Sequence, residues 1–371
     1  MRSVVVLLVC VGCNAVDVDL LAQTASPCDL GEVGAAVDVT PPDVVAMAPD
    51  PGVRGLVMDP FDASVFYAST HEQGVWRTAN CGATWEHTNN GINAPAIENS
   101  EPIDFAIDPV VPDTLYISPR FGGNSIWWST NAGVSWDNIV PTDVAMQVID
   151  GDRPDVAFIG VDPAKAHHIF ATSMVAWRNA GSDSGVLEGE LVDDTWQWKV
   201  HAPAVGMGVM QYIQVLDAKT WLLTSNRTPV GEGTWVTHDG GVSFQRVDDA
   251  EAASAWQFYQ SPDGTMYRPY QDGLLRSGDG GATWVDVFAG LGLGGTEAII
   301  GDGTTLYASS SIPDGDSAKR LFTAPETPGD RGWVPLGEPT TGSVWKFLRD
   351  GKRDVLYTLN PFQGIERQRM R

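Results

Sequence analysis

Thr78-Ala79-Asn80-Cys81-Gly82-Ala83-Thr84-Trp85 decides the fold, because the chain repeats this eight-residue string three more times. The other copies are Ser129-Thr130-Asn131-Ala132-Gly133-Val134-Ser135-Trp136, Thr237-His238-Asp239-Gly240-Gly241-Val242-Ser243-Phe244 and Ser277-Gly278-Asp279-Gly280-Gly281-Ala282-Thr283-Trp284. Each opens on Ser or Thr, has Asn or Asp in third place and Gly in fifth, and closes on an aromatic residue. The Asn or Asp side chain bonds turn amides, the glycine accepts a positive φ, and the aromatic ring packs beneath the hairpin. The string stabilises a turn and is not catalytic.

Upstream of each copy stands an apolar strand, an Asp-containing turn and a second apolar strand. Leu56-Val57-Met58-Asp59-Pro60 leads to Val65-Phe66-Tyr67, and Phe105-Ala106-Ile107-Asp108-Pro109 leads to Thr114-Leu115-Tyr116. Val161-Asp162-Pro163 with Ile169-Phe170, Val215-Leu216-Asp217 with Trp221-Leu222-Leu223, and the stretches 259–267, 299–307 and 347–357 extend the series to seven units. A third strand recurs as well, for example Gly74-Val75-Trp76-Arg77 and Gly273-Leu274-Leu275-Arg276. Short strands bounded by Gly, Pro and Asp turns, at a spacing of about 40–50 residues, predict one four-stranded antiparallel blade per unit.

The last unit stops after Gly364-Ile365-Glu366-Arg367, one strand short. Ala36-Val37-Asp38-Val39 followed by Thr40-Pro41-Pro42 matches Trp136-Asp137-Asn138-Ile139 followed by Val140-Pro141-Thr142, the fourth strand of another unit. The N-terminal segment is therefore expected to complete the last blade and close the ring, which pairs edges otherwise left open. The fold expectation is all-β: a seven-bladed β-propeller over residues 36–371, preceded by a signal at 1–12 and a tether at 13–35.

The repeated string resembles the Asp box, or BNR repeat, with Asn80, Trp85, Asn131, Trp136, Asp239, Phe244, Asp279 and Trp284 as its structural positions. Over residues 54–371 the strand pattern resembles the propellers of xyloglucan hydrolases and sortilin-type receptors, while the Asp box is shared with the propellers of sialidases. Single propellers of this length also serve as exported assembly factors that bind proteins. The segment Cys10-Val11-Gly12-Cys13, after Arg2 and the apolar run 4–11, resembles a bacterial lipobox. That resemblance implies a lipid on Cys13, with a conventionally cleaved secretory signal as the alternative. With Cys10 lost and Cys13 acylated, Cys28 and Cys81 remain to pair in an oxidising compartment. Ring closure supplies a geometric reason for that disulfide, because Cys28 precedes the closing strand and Cys81 lies in the turn of the adjacent first blade; two unrelated thiols are the alternative.

A formal charge of −24 and a pI near 4.4 repel phosphate backbones and anionic lipid, so nucleic acid is not expected as a partner and the membrane only through the lipid anchor. The expected partner is an extracytoplasmic protein or carbohydrate, and the expected state is a monomer in the cell envelope. No zinc, P-loop or dinucleotide motif is present. No cofactor is expected; Asp193-Asp194 and Asp248-Asp249 are the only weak calcium candidates.

Ligands of propellers enter around the central channel, on the face opposite the repeated turns. There the loops 118–125, 172–185, 224–234 and 268–273 carry Arg120, Arg178, Arg227 and Arg268 near their starts. Converging arginines hold a carboxylate, as the arginine triad does in sialidases; four separate ion-paired or exposed side chains are the competing expectation. Phe121, Trp177 and Tyr270 stand beside them as stacking surface. Glycosidase chemistry requires paired carboxyls, for which Glu101, Asp104, Asp150, Asp152 and Asp155 are available, or, in the sialidase type, a tyrosine nucleophile activated by a carboxylate, for which Tyr270 with Asp272, or Tyr212, is available. No spacing selects an acid and a base. The expected function is accordingly a non-catalytic envelope propeller recognising protein or glycan through its loop-rich face, with a glycoside hydrolase of sialidase or xyloglucanase type as the alternative.

Overall fold

A computed structural model describes residues 28, 30–44, 52–120, 126–144, 156–173, 184–202, 206–226, 232–250, 257–311, 318–326, 332–341 and 344–371. The signal, Cys10 and Cys13 lie outside them. The strands form seven four-stranded antiparallel sheets, six of them built from four consecutive strands. The seventh pairs the N-terminal strand Ala36–Asp38 with the C-terminal strand Gly364–Arg369, in the register Val37↔Arg367. The expected closure is thus present.

Inner strands Val53–Met58, Glu101–Ile107, Val156–Val161, Val209–Val215, Tyr259–Gln260, Ile299–Gly301 and Lys346–Asp350 ring the central channel. The core sits between blades. Leu56, Phe105, Ile159, Ile213, Phe258, Ile299 and Phe347, one from each inner strand or its lead-in, are all buried. Tyr67, Tyr116, Phe170, Tyr267, Tyr307 and Tyr357 repeat at one place in the second strands and are buried too. This alternation of one buried layer per blade joins the repeats into a continuous apolar ring.

The four repeated turns share one hydrogen-bond pattern. The opening hydroxyl accepts the amide of the fifth-place glycine at 2.9–3.0 Å, as in Gly82 to Thr78 and Gly281 to Ser277. The third-place side chain accepts the seventh-place amide at 2.9 Å in all four. Gly82, Gly133, Gly241 and Gly281 hold φ between 73° and 89°, which a β-carbon disfavours. In the third blade no such string exists. Asp193 and Asp194, both at positive φ, instead turn the hairpin between Val186–Val192 and Thr195–His201.

Cys28 and Cys81 form a disulfide with a Cα separation of 5.3 Å. The bridge lies at the seam beside Val39, Phe66 and Tyr357, so it staples the first blade to the last. Among the described residues no helix is long and apolar enough to cross a membrane.

Candidate functional site at the channel mouth

In an antiparallel blade, the first-to-second and third-to-fourth turns share one face. The starts of the inner strands lie on the other. Four consecutive inner strands carry a β-bulge near that start, between Val53 and Gly55, Pro102 and Asp104, Val156 and Phe158, and Met210 and Tyr212. Bulges kink a strand and redirect the side chains that follow. In the second blade the amide freed by the bulge is satisfied locally, because Asp104 N–H donates to Ser118 Oγ at 3.0 Å.

Pairing registers place Asp104, Tyr212, Gln257 and Lys346 at one level of the ring, each two residues before the position opposite the repeated aromatic or its equivalent. Asp104, Tyr212 and Lys346 line a common cavity of about 190 Å³. Asp104 is fixed there: its Oδ1 accepts the Phe105 amide at 2.8 Å and its Oδ2 the Ile159 amide at 2.9 Å, the latter across the blade boundary. Burial pushes the Asp104 carboxyl up, opposed by the positive charge of Lys346 and by both amides. Burial pushes the Lys346 ammonium down, opposed by Asp104. Burial also raises the Tyr212 phenol, and the Asp104 charge adds to that. Tyr212 stacks on Phe258 at 4.8 Å. Just above, Arg54 pairs with Glu101. Gln257 joins blades five and seven through Phe347, accepting its amide at 2.7 Å and donating to its carbonyl at 2.8 Å.

Of the residues expected to form an anion site, Phe121, Trp177, Arg178, Arg227 and the side chain of Arg120 lie outside the described residues. Arg268 does not stand in a loop. It lies within the strand Met266–Tyr270, wholly buried, and its Nη2 donates to Asp248 Oδ1 at 2.7 Å and to the Ala250 carbonyl at 3.1 Å. An enclosed guanidinium requires acceptors, and Asp248 from the neighbouring blade supplies one. Tyr270 donates to Asp286 at 2.9 Å rather than to Asp272, and burial with that carboxylate pushes its phenol up to about 12. Asp248 Oδ1 also accepts the Thr234 and Ala250 amides, at 3.3 and 3.0 Å. No group of three or more His, Cys, Asp or Glu suited to a metal occurs among the described residues. Glu101 and Asp104 are both engaged within the protein, and Asp150, Asp152 and Asp155 lie outside the described residues.

Lys346 was not singled out by its sequence context. Aligning the seven units on the repeated aromatic places it level with Asp104, and that alignment is the signal that finds it.

No family model matches the chain. It is 22% identical over 345 residues to a xyloglucanase of Hypocrea jecorina (strain QM6a), covering 80% of this chain and 40% of the enzyme. The chain thus spans less than half the length of that relative. Among solved structures, a GH74 xyloglucanase from Xanthomonas campestris superposes with a TM-score of 0.65 at 16% identity, over 91% of this chain and 54% of the enzyme. YCF48 bound to D1 peptide superposes with a TM-score of 0.59 at 13% identity, over 92% of this chain and 98% of that one. The extracellular domain of a putative hybrid two-component system from B. thetaiotaomicron gives 0.56 at 10% identity, over 85% and 39%. At these identities the structural likenesses establish the seven-bladed propeller, which xyloglucanase and binding proteins share.

Proposed function

We propose that the chain is an exported, lipid-anchored binding propeller that recognises a protein or glycan segment through its channel-mouth face without turning it over. The observation that carries this reading is the state of the mouth carboxylates. Asp104 is tied to two backbone amides and Glu101 is paired with Arg54, which holds both carboxylates in fixed positions at the mouth as binding groups. The Asp-box resemblance of the turns, the lipobox-like segment ending at Cys13 and the Cys28–Cys81 disulfide support an extracytoplasmic site of action. The likeness to YCF48 bound to D1 peptide supports a peptide-like partner.

The second reading is a xyloglucan-type glycosidase, favoured by the sequence match to the Hypocrea jecorina enzyme. A hydrolysis screen on xyloglucan and sialosides, run beside glycan-array and peptide-array binding, separates the two. Binding without turnover supports the first reading; turnover abolished by Asp104→Asn overturns it.

A further inference from the structure

Lys346 opens the inner strand of the last blade, and its side chain lines the channel cavity with Asp104 and Tyr212. Among the described residues its ammonium has no hydrogen-bond or ion-pair partner. Asp104 feels that charge but forms no ion pair with it, its carboxylate being held by the Phe105 and Ile159 amides. Each carboxylate oxygen so used keeps a further acceptor position. A carboxyl with spare acceptor positions and an amine with no partner among the described residues therefore line the same cavity without forming an ion pair.

The remaining wall is largely aliphatic: Val57, Ile159, Val161, Ile213 and Val215 surround the space, with Gln214 as the further polar side chain. The cavity, about 190 Å³, lies below the roughly 300 Å³ at which drug-sized pockets begin. That volume suits a molecule about the size of one residue. A neutral sugar can hydrogen-bond both groups but supplies no counter-charge to either one against the apolar walls. A simple anion would satisfy the lysine and set a second negative charge near Asp104, in a chain already at −24. An amine has the converse fault at Lys346.

A zwitterion with an apolar body meets all three demands. We propose that the channel cavity binds a free α-amino acid with an apolar side chain, its carboxylate on Lys346, its ammonium on Asp104 and its side chain against the aliphatic wall. This site lies inside the ring and does not rest on the macromolecular partner proposed for the channel-mouth face.

Isothermal titration of the full chain with L-leucine, hexanoate, isoamylamine and glucose tests it. Leucine is expected to bind, and each single-charge analogue to bind about tenfold or more weakly, since one charge-assisted hydrogen bond is lost. Lys346→Met should abolish the preference for leucine over isoamylamine and Lys346→Arg retain it; Asp104→Asn should weaken leucine about tenfold. No heat with any amino acid, glucose binding in preference to leucine, or leucine binding unchanged in Lys346→Met would overturn the proposal. The panel on the parent protein decides the preference even if a variant misfolds.

Discussion

The indole of Trp85 donates from Nε1 to the carbonyl of Val39 at 2.8 Å, across the seam where the first blade meets the strand that closes the last. In two other repeated turns the indole turns inward instead, Trp136 to Gly133 and Trp284 to Gly281, each at 3.0 Å. At the seam the same side chain has been diverted from bracing its own turn to fastening the ring. It acts with Thr40 Oγ1, which accepts the Ile365 amide at 2.8 Å, and with Arg367, which donates to the Cys81 carbonyl at 2.8 Å.

The disulfide and these bonds should act as one closure. Reduction, or Cys28→Ala with Cys81→Ala, is expected to lower stability by about 2–4 kcal/mol for a bridge spanning 53 residues. Trp85→Phe should cost about 1 kcal/mol more by stranding the Val39 carbonyl. Guanidinium melts with and without reductant measure both, and an unchanged midpoint on reduction would remove the seam from the account of stability.

Arg268 ties the fifth blade to the fourth through Asp248. Arg268→Ala leaves the largely enclosed Asp248 carboxylate without its cation and should destabilise by about 3 kcal/mol, whereas Arg268→Leu combined with Asp248→Leu should recover most of that loss. Denaturant unfolding of the three proteins checks it. If Arg268→Ala is neutral, the arginine is not an interior tie.

Asp162, His168, Glu188 and His201 form a hydrogen-bonded chain across the third blade, at 2.8, 2.9 and 2.7 Å. Burial opposes the His168 imidazolium, but Glu188 and Asp162 outweigh it and raise its pKa above 6.5. Burial likewise opposes the Glu188 carboxylate, but His168 and His201 hold its pKa far below 4.5. The Glu188 contribution is complete above pH 4.5 and is lost as pH falls through its folded value; that of His168 is complete below pH 6.5 and is lost as pH rises through its folded value. Together they predict a contribution to stability greatest between about pH 4.5 and 6.5. Chemical denaturation from pH 4 to 9 should show that optimum flattened in Glu188→Gln. An identical pH profile in the variant would exclude the chain as its source.

Cys13→Ser should release the protein from membranes if the lipobox-like segment is processed as its resemblance implies, while the folded propeller keeps its melting temperature. Fractionation of cells expressing both forms checks this. Equal membrane association of the two would leave the cleaved-signal alternative.

The four repeated turns, the seven units and the missing last strand were legible in residue order because each depends on contacts within a few residues or on a period the chain repeats. Asn80 and Asp279 work by bonding amides of their own turns, and alternation alone places Leu56 or Phe105 in a blade core. Even the Cys28–Cys81 pairing followed once the ring was known to close. What residue order could not decide was where a charge ends up. Arg268 reads as a loop arginine available to a ligand, yet Asp248, 20 residues earlier, encloses and neutralises it. Lys346 reads as an ordinary strand-edge lysine, yet ring closure brings it to the cavity of Asp104, 242 residues before it by their numbers. Burial and Coulomb energy depend on distances through space, and in a closed ring those distances are set only when the last blade meets the first.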